Sequence, residues 1–134
     1  MVGEPPYAEG VGDNSDPSLS SADVTLIDQM RSMSKKLVVL IVSGRPLIIT
    51  PQLPKIDALV AAWLPGTEGE GVADVLFGDV PFTGKLSYSW QRTNSQLPIN
   101  INNLGSKTGC DGPLFPFGFG LGTDDPPVAI PNCP

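Results

Sequence analysis

The chain has 134 residues, of which 16% are charged, with a formal net charge of -6 and no histidine. That length fits one domain of ordinary size, and the composition is globular rather than disordered. The acidity argues against nucleic acid and anionic membrane surfaces as partners, because no basic patch exists to neutralise phosphates. The lack of histidine removes Ser-His-Asp and Cys-His catalysis and the commonest metal ligand.

Residues 1–20 read as loop. The opening stretch, Gly3-Glu4-Pro5-Pro6-Tyr7-Ala8-Glu9-Gly10-Val11-Gly12-Asp13-Asn14, sets three carboxylates and one aromatic on a Gly/Pro-rich segment. No strand or helix is expected in front of it. A helix is predicted from Ser21 to Met33. Ser20 or Ser21 caps it, Asp23 favours its positive end, and Val24, Ile27, Met30 and Met33 follow the three-to-four spacing of an inner face. Arg31, Lys35 and Lys36 gather at its C-terminal end.

The run Leu37-Val38-Val39-Leu40-Ile41-Val42 has no polar alternation, which predicts a strand buried on both faces of a parallel sheet. It ends in Ser43-Gly44-Arg45-Pro46. Pro51 and Pro54 break the next stretch, 47–55, into at most a short helix or irregular link. Residues 58–63, Ala-Leu-Val-Ala-Ala-Trp, form a second buried strand closed by Leu64-Pro65-Gly66-Thr67. A helix over 68–77 follows, with Val72, Val75 and Leu76 inward and Gly78-Asp79 at its end. Residues 85–90 alternate small or polar with large side chains and predict a third, more exposed strand. Beyond them lie a polar Asn/Gly-rich stretch over 94–112, a Pro/Gly-rich stretch with three Phe over 113–121, and an acidic, Pro-rich tail over 123–134 expected to be disordered.

The order of elements is that of an α/β domain. Two fully apolar strands need neighbours on both sides, so the count of strands predicts that the N-terminal part of the domain is absent from this chain. Alone, such strands would expose unpaired edges. No signal peptide stands at the start, and no apolar run approaches the roughly 20 residues of a membrane helix. Cys110 and Cys133 leave two alternatives open, one disulfide or two free thiols.

Taken in order, the blocks resemble one family. They are Gly3-Glu4-x-Pro6-Tyr7-x-Glu9-x-x-Gly12-Asp13-Asn14; Ser43-Gly44-Arg45-Pro46; Ala58-Leu59-Val60-Ala61-Ala62-Trp63-Leu64-Pro65-Gly66-x-Glu68-Gly69-x-Gly71; Leu76-Phe77-Gly78-Asp79; Phe82-x-Gly84-Lys85-Leu86; and Asp111-x-Pro113-Leu114-Phe115-Pro116-Phe117-Gly118-Phe119-Gly120-Leu121. Over residues 1–122 the chain resembles the C-terminal α/β sandwich domain of glycoside hydrolase family 3, and the plant β-D-glucan exohydrolases in particular. The resemblance implies a mostly parallel sheet with helices on both faces, here incomplete. It implies a partner domain, a (β/α)8-like barrel with an Asp nucleophile, which has no counterpart in this sequence. It places the general acid/base on Glu9. It implies a β-glucan or β-glucoside substrate and no cofactor or metal, and for full-length relatives an extracellular or cell-wall location. The chain's partners would then be that substrate and the missing barrel domain or a full-length relative.

Retaining glycosidases use two carboxyl groups roughly 5–5.5 Å apart, one attacking the anomeric carbon and one protonating the departing oxygen. Read without the resemblance, Glu9 is a solvated loop acid. With it, Glu9 is the proton donor. Glu4 and Asp13 read as braces that bond loop N–H groups rather than sugar. Tyr7 either lines a sugar pocket or packs the loop onto the domain. Arg45 follows a buried strand and reads as one half of a structural ion pair with an acid such as Asp57 or Asp74. Gly66-Thr67-Glu68-Gly69-Glu70-Gly71 lacks the lysine of a phosphate loop, and its acids repel phosphate, so it reads as a strand-to-helix turn. Trp63 and Trp90 read as core or domain-interface residues, and Phe115, Phe117 and Phe119 as core cover. Asp57, Asp74 and Asp79 show no calcium-loop spacing.

The chain departs from its relatives at Cys110 and Gly112, and Met30, Met33 and Ser34 stand where a cysteine pair is common. The expected function is that of a β-glucosidase or β-glucan exohydrolase fragment carrying the acid/base without the nucleophile. The alternative is a non-catalytic product that binds sugar weakly or docks on an intact relative.

Overall fold

The computed structural model describes residues 1–100, 102, 104, 107–131 and 133. Two compact units divide the chain, Met1–Gly66 and Thr67–Pro134.

In the first unit, β1 (Val2–Gly3), β2 (Val38–Val42) and β3 (Ala58–Trp63) form a parallel sheet in the order β1-β2-β3. Parallel neighbours need a crossover. Helix α1 (Ser21–Met33) supplies the first, and a segment holding a 3-10 turn, Thr50–Lys55, supplies the second. Ser20 caps α1 by accepting from the Asp23 N–H at 3.1 Å. Val39 and Ile41 of β2 are buried with Val2, Leu19, Ile27, Leu47 and Ile49, and these form the core. Each such aliphatic side chain contributes about 1.5–3 kcal/mol by leaving water.

Three expectations change here. The first concerns residues 1–20, which are not all loop. Val2 and Gly3 pair with Ile41 and Val42, so a short strand does stand before the carboxylate-bearing loop. Next, neither inner strand is buried as expected: β2 is deeply buried on one face only, with Leu40 and Val42 half-buried and Val38 49% exposed, and β3 is half-buried along 59–63 with Ala58 exposed. Finally, Met30 and Met33 are exposed on α1, and the inner stripe runs through Val24, Ile27 and Arg31. Arg31 takes the last inner position because its guanidinium donates to the Ser34 and Lys35 carbonyls at 2.6 and 2.9 Å, capping the helix end.

In the second unit, α2 (Gly69–Phe77) half-buries Val72, Val75 and Leu76 and ends at Gly78, a left-handed residue at φ 89°. The strand expected over 85–90 does not form. Leu86 exchanges backbone bonds with Gly118 and Phe119, and Trp90 with Leu114 and Phe115, but the chain bends between them at Ser87 and Tyr88. Across the gap stands Pro116, which has no N–H to give, and the Phe119 N–H turns back onto the Pro116 carbonyl at 3.0 Å. Trp90 is buried and stands at 82° to the Phe115 ring, which stacks on Phe119 at 4.9 Å between ring centroids. Phe117 points away, 72% exposed. Cys110 and Cys133 are joined in a disulfide with Cα atoms 5.4 Å apart. The bridge joins residues 23 positions apart, and closing a loop of that length contributes about 3 kcal/mol in the chain-entropy account.

Candidate active-site loop

β1 and β2 are neighbours and run the same way, so the residues that follow them emerge on one edge of the sheet. Glu4 follows β1, and Ser43, Gly44 and Arg45 follow β2. Arg45 consequently meets Glu4. Its Nε lies 3.0 and 3.1 Å from the two carboxylate oxygens and its Nη2 2.9 Å from Oε1. Its Nη1 donates to the Gly12 carbonyl at 2.8 Å. Its guanidinium carbon stands 4.4 Å from the centroid of the Tyr7 ring, a cation–π distance. One planar fork thus holds the start, the middle and the end of the loop. The hydrogen bond that Arg45 donates to Glu4 chiefly raises the Arg45 pKa; burial opposes the shift, and the charges of Glu4, Tyr7 and Asp13 add to it. Buried Ser43 fixes the clamp in turn, donating from Oγ to the Arg45 carbonyl at 2.6 Å.

Tyr7 packs the loop down. A Cβ at Gly12 would lie 2.4 Å from Tyr7 Cδ2, and one at Gly44 would lie 2.7 Å from its hydroxyl. Both positions therefore need glycine for the ring to seat. A cavity of about 120 Å³ opens beside it, lined by residues 4–7, Ser43, Gly44 and Leu64. Leu64 follows Trp63, whose φ of 53° is left-handed for a bulky residue. The strain coincides with a register shift in which Val42 pairs with Trp63 rather than Ala62.

Glu9 occupies a tight turn at the far side of the loop. The Gly12 N–H donates to the Ala8 carbonyl at 2.7 Å, the Asp13 N–H to the Gly10 carbonyl at 3.2 Å, and Gly10 sits at φ 78°. Glu9 is exposed. The expected roles of Glu4 and Asp13 need revision. Glu4 braces the loop through the Arg45 side chain, not through loop N–H groups, and Asp13 adds negative charge near that guanidinium.

The structural ion pair expected of Arg45 forms, but with Glu4, and Asp57 is ruled out as its partner for a topological reason. Asp57 precedes β3, so it lies at the opposite edge of the sheet. There it accepts from Arg31 Nη1 at 2.7 Å, Lys36 Nζ at 2.9 Å and the Leu37 N–H at 2.9 Å. The Lys36 bond first, and the Leu37 N–H next, lower its pKa to about 2. Asp74 belongs to α2 in the second unit. Sequence reading placed Ser43, Gly12 and Gly44 in motif blocks but gave them no role. The signal that would have found them is adjacency, since residues after neighbouring parallel strands must face one another. Among the described residues, no cluster of His, Cys, Asp or Glu could hold a metal ion.

Residues 1–123 match the model of the glycosyl hydrolase family 3 C-terminal domain. The chain belongs to this family. The periplasmic β-glucosidase of Salmonella typhimurium is 36% identical over 115 residues, covering 72% of this chain and 15% of that enzyme. Among solved structures, the exo-1,3/1,4-β-glucanase of a Pseudoalteromonas species superposes with a TM-score of 0.82 at 39% identity, over 97% of this chain and 17% of its own. The β-glucosidase of Listeria innocua in complex with glucose gives a TM-score of 0.74 at 29% identity, over 84% of this chain and 18% of its own. The chain thus spans about 15% of the length of the Salmonella relative. The family 3 fold, a parallel sheet with helices, accounts for the shared edge on which Glu4, Arg45 and the Glu9 loop meet.

Proposed function

We propose that this chain supplies the general acid/base, Glu9, of a retaining glycosidase that releases glucose from β-glucosides or β-glucans. The observation that carries the reading is an exposed carboxylate at the apex of a turn pinned to the C-terminal edge of the sheet, in a chain of this family. In the first step Glu9 gives its proton to the glycosidic oxygen as the sugar bonds to a nucleophile. In the second it takes a proton from the water that frees the sugar. The nucleophile comes from outside these residues, on a barrel that approaches to roughly 5–5.5 Å. The exposure of Glu9 leaves room for that approach. The similarity to β-glucosidases and to an exo-β-glucanase supports the substrate class. The Cys110–Cys133 disulfide, with the similarity to a periplasmic enzyme, supports an oxidising compartment outside the cytosol.

The test replaces the matching segment of the Pseudoalteromonas enzyme with this full chain. The graft should hydrolyse an aryl β-glucoside, and Glu9→Gln should lower kcat on an unactivated glucoside by about 10²–10⁴-fold. The 134-residue chain alone should show no turnover. Turnover by the chain alone, or full activity of the Glu9→Gln graft, contradicts the proposal. Binding of glucose by the 134-residue chain alone, together with a graft that does not turn over, would instead favour a sugar-binding module.

A further inference from the structure

We propose that Arg45 is the positioning residue that sets where the Glu9 carboxyl stands during proton transfer. This rests on the reading of Glu9 as the acid/base. Arg45 acts through the loop and not on the sugar. Its Nη1 holds the Gly12 carbonyl at 2.8 Å, while the N–H of the same Gly12 closes the turn under Glu9 onto Ala8 at 2.7 Å. The two ends of the Gly12 residue are thus used at once, one for the turn and one for the clamp. At the loop's start, the same guanidinium grips both oxygens of Glu4, which is fixed to the sheet by its own N–H bond to the Val42 carbonyl at 3.1 Å. Tyr7 lies against the guanidinium between them. Loss of the fork releases the base of the turn from the sheet edge and leaves Glu9 on a tether of the wrong stiffness. Lysine keeps the charge but presents a single ammonium, which cannot meet both Glu4 oxygens and the Gly12 carbonyl.

A misplaced proton donor has a kinetic signature that general damage lacks. Methyl β-glucoside expels a strongly basic alkoxide and needs the proton. Dinitrophenyl β-glucoside expels a stable phenolate and does not. In the graft described above, Arg45→Ala should lower kcat/KM for methyl β-glucoside by about 10²-fold, the usual result of displacing a reacting group by an ångström. For dinitrophenyl β-glucoside, kcat and KM should fall together while kcat/KM stays within about threefold, because only the later, base-assisted step slows. Arg45→Lys should recover less than about a tenth of the lost kcat/KM on the methyl glucoside.

Glu9→Gln separates the two claims. If it shows this leaving-group selectivity and Arg45→Ala lowers both substrates equally, or neither, the positioning role is overturned and the acid/base role stands. If Glu9→Gln shows no selectivity, the acid/base role itself fails. Should the Arg45→Ala graft not fold, amide exchange in the 134-residue chain decides. Exchange of the Gly12 and Asp13 amides should quicken at least about tenfold in Arg45→Ala with the α1 amides unchanged. No local change at those two amides overturns the proposal.

Discussion

The two edges of the parallel sheet carry similar ion pairs that do different things. At the C-terminal edge Arg45 and Glu4 are 25% and 15% exposed, and they hold a loop that crosses the edge. At the N-terminal edge Asp57, 27% exposed, gathers Arg31 at 32% and Lys36 at 82%, and it ties the end of α1 to the starts of β2 and β3. An exposed pair gains little in high dielectric, whereas a covered, bidentate one fixes geometry and is costly to break from one side. The lesson is that the number of charge contacts does not rank the two edges. What each charge would be left facing does.

The comparison breaks altogether if the sheet between the edges fails. Ile41→Ala in β2, at a residue 1% exposed, should cost about 2–5 kcal/mol and lower the thermal midpoint of both clusters together. Glu4→Gln should act on one edge only. It leaves the Arg45 charge half covered with a neutral partner, at a cost of about 1–3 kcal/mol, and quickens amide exchange over residues 4–13 without touching the Asp57 cluster. Denaturant unfolding together with residue-resolved exchange checks both.

The smallest effect is at the other edge and shows best against pH. The Asp57 pKa is lowered from its ordinary 3.8 to about 2, so its contribution is fully present above the higher value and fades as pH falls toward the lower. Asp57→Asn should therefore lower the midpoint only slightly near neutral pH in salt, where the contribution is fully present, and the gap from the unsubstituted chain should close as pH falls from about 4 to 2. A large loss at pH 7 would mean that the two edges are energetically alike.

The elements that carry a strong period were legible in the sequence. Helix α1, β2, β3 and α2 stand close to where apolar spacing, caps and proline breaks put them. β1 escaped because two residues cannot display a pattern, and pairing with Ile41 and Val42 is what makes them a strand. The strand expected over 85–90 failed for the opposite reason. Leu86, Tyr88 and Trp90 alternate well, but Pro116 and the turn after it deny them a continuous partner. Glu9 drew notice as part of an acidic loop, and the family resemblance gave it a role. The clamp did not show, because Arg45 and Glu4 are 41 positions apart and only the parallel order of β1 and β2 brings them together. Asp57, expected as a partner of Arg45, lies at the far edge because it precedes β3 instead of following a strand.

Glu9 is proposed above as the proton-transferring carboxylate of a glycosidase pair. Azide tests it most directly, since as a nucleophile it needs no general base. Added to the Glu9→Gln graft with dinitrophenyl β-glucoside, it should raise turnover and yield β-glucosyl azide, because azide displaces the enzyme carboxylate from the glucosyl intermediate where unassisted water is slow. Unchanged turnover, with glucose as the product at every azide concentration, would contradict the account.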